Sequence, residues 1–191
     1  VCVCEVLGWL AKRELKGWKC WHLGKNVHCR VSNQLAPFYG STTCYTEMAG
    51  EKIRDAINIK LGENSVQMHD ISDQSVHQMT QYKYLILGIP TWDFGELQED
   101  WESNWDEMDN ISLTDSKVAL YGLGDQIGYP EWFQDALGYL WVKVIAQGAK
   151  TVGLWPNQGY EFESSAALTQ DKSMFVGLPL DDENQLDLTD L

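Results

Sequence analysis

From residue 35 onward, short apolar runs alternate with longer stretches whose apolar positions recur every three or four residues. The first pattern predicts strands and the second amphipathic helices. Leu35–Gly40 is the first predicted strand, although Pro37 lacks a backbone donor and would sit awkwardly inside a sheet. Glu47–Leu61 follows as a helix, with Ala49, Ile53, Ala56 and Ile57 on one face and charges opposite. Val66–Ile71 reads as a second strand and Asp73–Gln81 as a short helix. Tyr84–Ile89 is a continuous apolar run of the kind buried on both faces, stopped by Pro90. Leu97–Met108 predicts an acidic helix, Lys117–Tyr121 a fourth strand, Trp132–Gln147 a long helix and Thr151–Trp155 a fifth strand. Phe175–Leu180 reads as a second piece of that fifth strand, set off by the polar stretch Asn157–Ser173. The alternation predicts an α/β fold, doubly wound around a parallel sheet. Ligands of such sheets bind beyond the carboxyl ends of the strands, where Gly40–Thr46, Pro90–Gly95 and Gly122–Tyr129 form loops.

The opening of the chain breaks this pattern. Residues 1–36 hold six Lys and Arg against two Asp and Glu, whereas residues 37–191 hold eight against twenty-six. Residues 1–34 show neither period, begin at Val1 and contain four of the five cysteines, so they are expected to be an irregular extension or a misassigned start. Cys2, Cys4, Cys20 and Cys29 with His22 and His28 fit no paired-ligand spacing, and no metal site is predicted. A length of 191 residues suits one domain. The net charge of −14 argues against nucleic acid and anionic membrane surfaces and favours basic partners. No apolar run reaches the ~18 residues of a membrane span, and Glu5 interrupts what would be a signal peptide, which points to the cytoplasm.

The first loop carries the most chemistry. Ser41, Thr42, Thr43 and Thr46 bring hydroxyls to the start of a predicted helix, where free N–H groups and the helix dipole favour an anion. No Lys or Arg lies between Phe38 and Glu51, and the GxxxxGK[ST] pattern of triphosphate sites is missing. Neutral donors of this kind suit a permanently bound phosphomonoester. An ordinary helix cap with spare hydroxyls is the plainer alternative. In the second loop, Pro90-Thr91-Trp92-Asp93-Phe94-Gly95 presents a Trp, and in the third, Gly122-Leu123-Gly124-Asp125-Gln126-Ile127-Gly128-Tyr129 presents a Tyr. Either ring alone reads as packing; beside a phosphate cradle the two would sandwich a flat ring system.

Together FYGSTTCYT, LGIPTWDFGE and YGLGDQIGY resemble the flavodoxins over residues 35–191, and the insertion before FVGLPLD resembles the long-chain group. The Cys44-Tyr45 pair and the Thr46-Glu47-Met48 that follows resemble the second flavodoxin of enteric bacteria. The resemblance implies a three-layer α/β/α sandwich with a five-stranded parallel sheet in order 2-1-3-4-5, the fifth strand split by the insertion. It implies flavin mononucleotide (FMN) as cofactor, with Ser41, Thr42, Thr43, Cys44, Tyr45 and Thr46 on the phosphate. Trp92 and Tyr129 would flank the ring, with Pro90, Thr91, Asp93, Phe94, Gly95, Gly124 and Asp125 around its edge. Asp125 is equally a turn residue satisfying its own loop. The family commonly has Gly where Cys44 stands. It also flips the peptide after the Trp, here Asp93–Phe94, to meet a protonated flavin nitrogen.

The implied function is that of a low-potential one-electron carrier working between semiquinone and hydroquinone, not an enzyme, docking basic-faced partners such as a flavodoxin reductase and acceptor enzymes. Asp93, Glu96, Glu99, Asp100 and Asp125 would disfavour negative charge on the ring. Alternatives are an FMN-dependent quinone reductase, which needs a substrate pocket, and a nonfunctional truncated reading frame. A phosphate-receiving regulatory domain would need an Asp where the first strand ends in Tyr39-Gly40. Long-chain flavodoxins that read like Asp181–Gln185 and Leu188–Asp190 continue into a last amphipathic helix. The domain at 35–191 is expected to lack it, to be marginal without flavin, and to expose an apolar patch beside Ala49, Ile53 and Ile57.

Overall fold

The computed structural model describes residues 34–185. The cysteines and histidines of the expected extension, and the chain end from Leu188, lie outside the described residues. The elements in order are β1 (Leu35–Tyr39), α1 (Tyr45–Leu61), β2 (His69–Asp70), β3 (Tyr84–Trp92), β4 (Glu96–Leu97), α2 (Glu99–Ser103), β5 (Lys117–Leu123), α3 (Asp135–Ala146), β6 (Lys150–Val152), β7 (Trp155–Pro156), β8 (Met174–Phe175) and β9 (Leu178–Leu180). The sheet runs β2-β1-β3-β5-β6, with all these pairs parallel. β9 pairs with β5 at Tyr121–Leu123, just beyond the β6 pairing at Lys117–Ala119. β6 and β9 are therefore the two halves of the expected fifth strand, and the 2-1-3-4-5 order is present.

Alternation along the strands builds a core on each face. Phe38, Leu85, Leu87, Ile89, Val118 and Leu120 pack with Leu137, Leu140 and Val144 of α3. On the other face, Leu35, Ile86, Ala119 and Tyr121 pack with Ile53 and Ile57 of α1. Ile53 and Ile57, expected beside an exposed apolar patch, are themselves buried at 9% and 1% exposure.

Both prolines that made strands look awkward are accommodated by flank. Gly40 N–H donates to Gly88 O while Ile71 N–H donates to Tyr39 O, so odd residues of β1 face β2. Pro37 thus turns its missing donor toward β2, whose ladder begins only at Phe38 opposite His69. β3 does not stop at Pro90, as expected, but continues to Trp92. Pro90 faces the β1 flank, where β1 has already ended, and pairs with Leu123 on the other side.

Other boundaries differ for local reasons. The expected helix over Leu97–Met108 is divided: Leu97 is in β4, Gln98 caps α2, and only Glu107–Asn110 resumes as a 3₁₀ turn. Glu99, Asp100 and Glu102 favour a helix start, but Asp106, Glu107 and Asp109 would face the negative end of a continued helix. Asn104 ends α2, its side chain donating to Asp100 O and Ile71 O. The expected second strand shrinks to His69–Asp70, Val66 N–H being taken by the Asn58 side chain. The helix expected over Asp73–Gln81 is a 3₁₀ turn at Val76–Gln81, which buries Val76 and Met79 at a spacing of three. The long helix begins at Asp135 rather than Trp132. Gly153, at φ 84°, separates β6 from Trp155, which instead pairs antiparallel with Phe175 across the base of the insertion, so the second piece of the fifth strand is Leu178–Leu180 rather than Phe175–Leu180.

Candidate functional site

The three loops meet in a cleft of about 310 Å³ at the carboxyl ends of β1, β3 and β5. Of the residues named from the sequence, Thr43, Tyr45, Thr46, Pro90, Thr91, Trp92, Asp93, Gly124, Asp125 and Tyr129 line it. Ser41, Thr42, Cys44, Phe94 and Gly95 are not among its lining. Leu123, Trp132, Phe133, Asp182 and Glu183 also line the cleft and were not foreseen. Their only sequence signals were an aromatic pair at the start of a predicted helix and acids after the last strand.

The first loop is shaped by close packing beneath it. A Cβ at Gly40 would lie 2.4 Å from Gln98 Oε1 and 2.8 Å from Trp101 Cδ1, so only glycine lets the chain pass. Cys44 is the N-cap of α1 in the left-handed conformation, φ 67°, and its side chain makes no capping bond. A non-glycine residue in that conformation costs roughly 1–2 kcal/mol. With no side-chain cap, the first N–H groups of α1 are left to a ligand or water. Ser41 Oγ is buried without a partner, and a buried orphan hydroxyl is an unmet demand for a hydrogen bond. Thr46 is buried at 1% exposure and lies on the cleft. The donors here are hydroxyls and N–H groups, and no Lys or Arg lines the cleft. The set fits a phosphate monoester.

Thr46 is located by the sheet behind it. Tyr121 Oη donates to Thr46 O at 3.1 Å, and burial pushes its phenol pKa far up, keeping it a donor. Gly88 leaves room for that ring.

The second loop is a hairpin. Thr91 pairs with Leu97 and Trp92 with Glu96, so the Trp stands on a strand end rather than a free loop. Asp93 at φ 40° and Gly95 at φ 88° bracket the Asp93–Phe94 peptide. Phe94 is 67% exposed and meets Trp132 edge-on at 5.1 Å. Asp135, buried at the start of α3, accepts from Ala166 N–H at 2.6 Å, and burial raises its pKa against that hydrogen bond.

In the third loop Asp125 serves the turn. Its Oδ1 accepts from Ile127 N–H at 3.0 Å, Gly128 N–H at 2.7 Å and Asn184 Nδ2 at 2.8 Å. Asp181, buried at 1% exposure, accepts from the N–H and the side chain of Gln126 and so ties this loop to the end of the domain. Tyr129 is 42% exposed, as a ring covering one side of a cleft must be.

The flavodoxin family model matches residues 38–189. The chain belongs to the flavodoxin family. It is 58% identical to flavodoxin 2 of Escherichia coli (strain K12) over 153 residues, covering 80% of this chain and 86% of the relative. It is 47% identical to the flavodoxin of Nostoc sp. (strain PCC 7120) over 160 residues, 84% of this chain and 91% of the relative. Among solved structures, Fusobacterium nucleatum flavodoxin bound to flavin mononucleotide superposes with a TM-score of 0.72 at 30% identity, over 81% of this chain and 89% of that one. No helix among the described residues is long and apolar enough to cross a membrane.

Burial pushes the pKa of Asp125 up, but the Gly128 N–H, the Asn184 amide and the Ile127 N–H together bring it below the ordinary value. A carboxylate with a lowered folded-state pKa stabilises fully above its unfolded pKa of about 3.9 and loses that contribution as pH falls through the folded value. Urea unfolding of the flavin-free protein should show Asp125→Asn less stable by a constant amount from about pH 5 to 8. That difference should shrink below about pH 4; one that grows toward acid contradicts this sign.

Proposed function

We propose that this flavodoxin-family chain is a one-electron carrier working through bound FMN, seated in the cleft with its phosphate on residues 41–46 and its ring between Trp92 and Tyr129. The uncapped start of α1 with Thr43 and Thr46 on the cleft, preceded in the same loop by the buried, orphaned Ser41 hydroxyl, is the observation that supports this reading most. FMN supplies a ring system that accepts electrons one at a time. The chain's residues set where it sits and how negative charge is received. Ser41, Thr43 and Thr46 bind the phosphate with the first N–H groups of α1. Trp92 and Tyr129 exclude water from the ring faces. Asp93, Asp125, Asp182 and Glu183 line the cleft and oppose an added negative charge, and each ~1.4 kcal/mol of that opposition lowers a one-electron potential by about 59 mV. The Asp93–Phe94 peptide lies on the hairpin between β3 and β4, with Gly95 at φ 88° beside it leaving the turn backbone freedom.

An anaerobic reductive titration of the FMN-loaded protein tests this. Two separate one-electron steps, the second at clearly lower potential, are expected. A single two-electron step accompanied by quinone turnover would identify a reductase instead.

Carriers of this family pass electrons to redox partners. We further propose that the chain works in the cytoplasm and that those partners present basic faces; the second reading is supported by the twenty-six Asp and Glu against eight Lys and Arg in residues 37–191. Such a field steers a basic face toward the molecule and is screened by salt. Reduction by a flavodoxin reductase should therefore slow between about 10 mM and 0.5 M salt; a flat rate would show that the acidity serves solubility alone.

A further inference from the structure

A side chain outside the cleft grips the first loop from behind. Gln98, 1% exposed, caps α2 with its Oε1, which accepts from Trp101 N–H at 3.3 Å. Its Nε2 donates to Thr42 Oγ1 at 3.1 Å and to Asp100 Oδ2 at 2.5 Å. Thr42 Oγ1 in turn donates to Glu99 Oε1 at 3.3 Å. A hydroxyl has one hydrogen, so Thr42 has no side-chain donor left for an anion, and the neighbouring Glu99 carboxylate would repel one. The same Gln98 Oε1 lies where a Cβ on Gly40 would come within 2.4 Å. Trp101, next to it, anchors to β3 by donating from Nε1 to Gly88 O at 2.9 Å. The start of the loop is thus pressed and strapped by one buried amide, while Thr43 and Thr46 stay on the cleft and Ser41 Oγ stays unpartnered.

We infer that Gln98 is a positioning residue for phosphate binding: it holds residues 40–42 in the shape that presents the loop's N–H groups and the Ser41 hydroxyl to the anion, and Thr42 is its grip rather than a ligand. This rests on the reading of residues 41–46 as the phosphate site. The side chains of Thr42 and Gln98 then act as one unit, and their loss weakens only ligands that carry the phosphate.

The test is a double-mutant cycle on the full chain stripped of flavin, with FMN and riboflavin dissociation constants measured by quenching of flavin fluorescence. Gln98→Met removes the amide at similar volume, and Thr42→Val removes only the hydroxyl from an exposed position that folding tolerates. Each substitution should weaken FMN binding about tenfold, and the pair should weaken it by about the same tenfold rather than a hundredfold. Riboflavin binding should change less than about twofold. Equal losses for both flavins would make Gln98 a purely structural residue, and independent, multiplying losses would make Thr42 a ligand in its own right; either overturns the inference. A wild-type preference for FMN that is undiminished by both substitutions overturns it as well. Equal affinity of the wild type for the two flavins would overturn the phosphate reading itself, and this inference with it. Should the Gln98 variant fail to fold, Thr42→Val alone decides: an unchanged ratio of FMN to riboflavin affinity is fatal.

Discussion

Holding a phosphate inside a protein of net charge −14, with no Lys or Arg between Phe38 and Glu51, is the constraint on which the proposed site depends. Without a cation to supply attraction, the binding has to come from oriented neutral donors, and these act only if they are held in place before the anion arrives. A loop of small polar residues has no such rigidity of its own. The surrounding fold supplies it: Gly40 slides against Gln98 and Trp101, Cys44 takes a left-handed turn into α1, and Tyr121 fixes the Thr46 carbonyl from the sheet.

The same constraint links elements far apart in the chain. Gly88 on β3 makes room for the Tyr121 ring on β5, and Gly50 on α1 lets the helix settle against the same hydroxyl, where a Cβ would come within 2.6 Å. The Trp101 indole reaches back to Gly88 O. Each contact removes freedom from the strand ends that carry the loops, and each loses conformational entropy once, at folding, rather than at binding. The acidic residues that make the phosphate hard to hold are the ones that disfavour further negative charge on a ring in the cleft. One charge distribution therefore serves a low potential and the recognition of basic partners.

Much of this was readable from residue pattern. The strands and their alternation with helices followed from the continuous apolar runs, and the three loops from the polar, glycine-rich segments that end those runs; the order of the strands came from the family resemblance. What could not be read depended on neighbours in space. Pro90 stops a strand only if its missing donor faces an occupied flank, and β1 has ended there. The break in the acidic helix reflects the placement of charges relative to a helix end that composition does not locate. Gln98 is a polar residue in an acidic stretch; its burial comes from the hairpin that folds β4 back beside Gly40. Asp182 and Glu183 reach the cleft only because β9 lies beyond β6 along β5. Asp125 was read with two roles, and the structure gives its Oδ1 to the turn.

The neutrality of the cradle is measured most directly by the ionic-strength dependence of FMN binding. A site built on Lys or Arg loses affinity steeply as salt screens the attraction. A cradle of hydroxyls and N–H groups inside an acidic protein should hold FMN equally well, or more tightly, as salt rises from about 0.01 to 0.5 M and the Debye length falls from ~30 to below ~10 Å. A dissociation constant that climbs tenfold or more over that range would mean that a cation, not the oriented neutral donors, holds the phosphate.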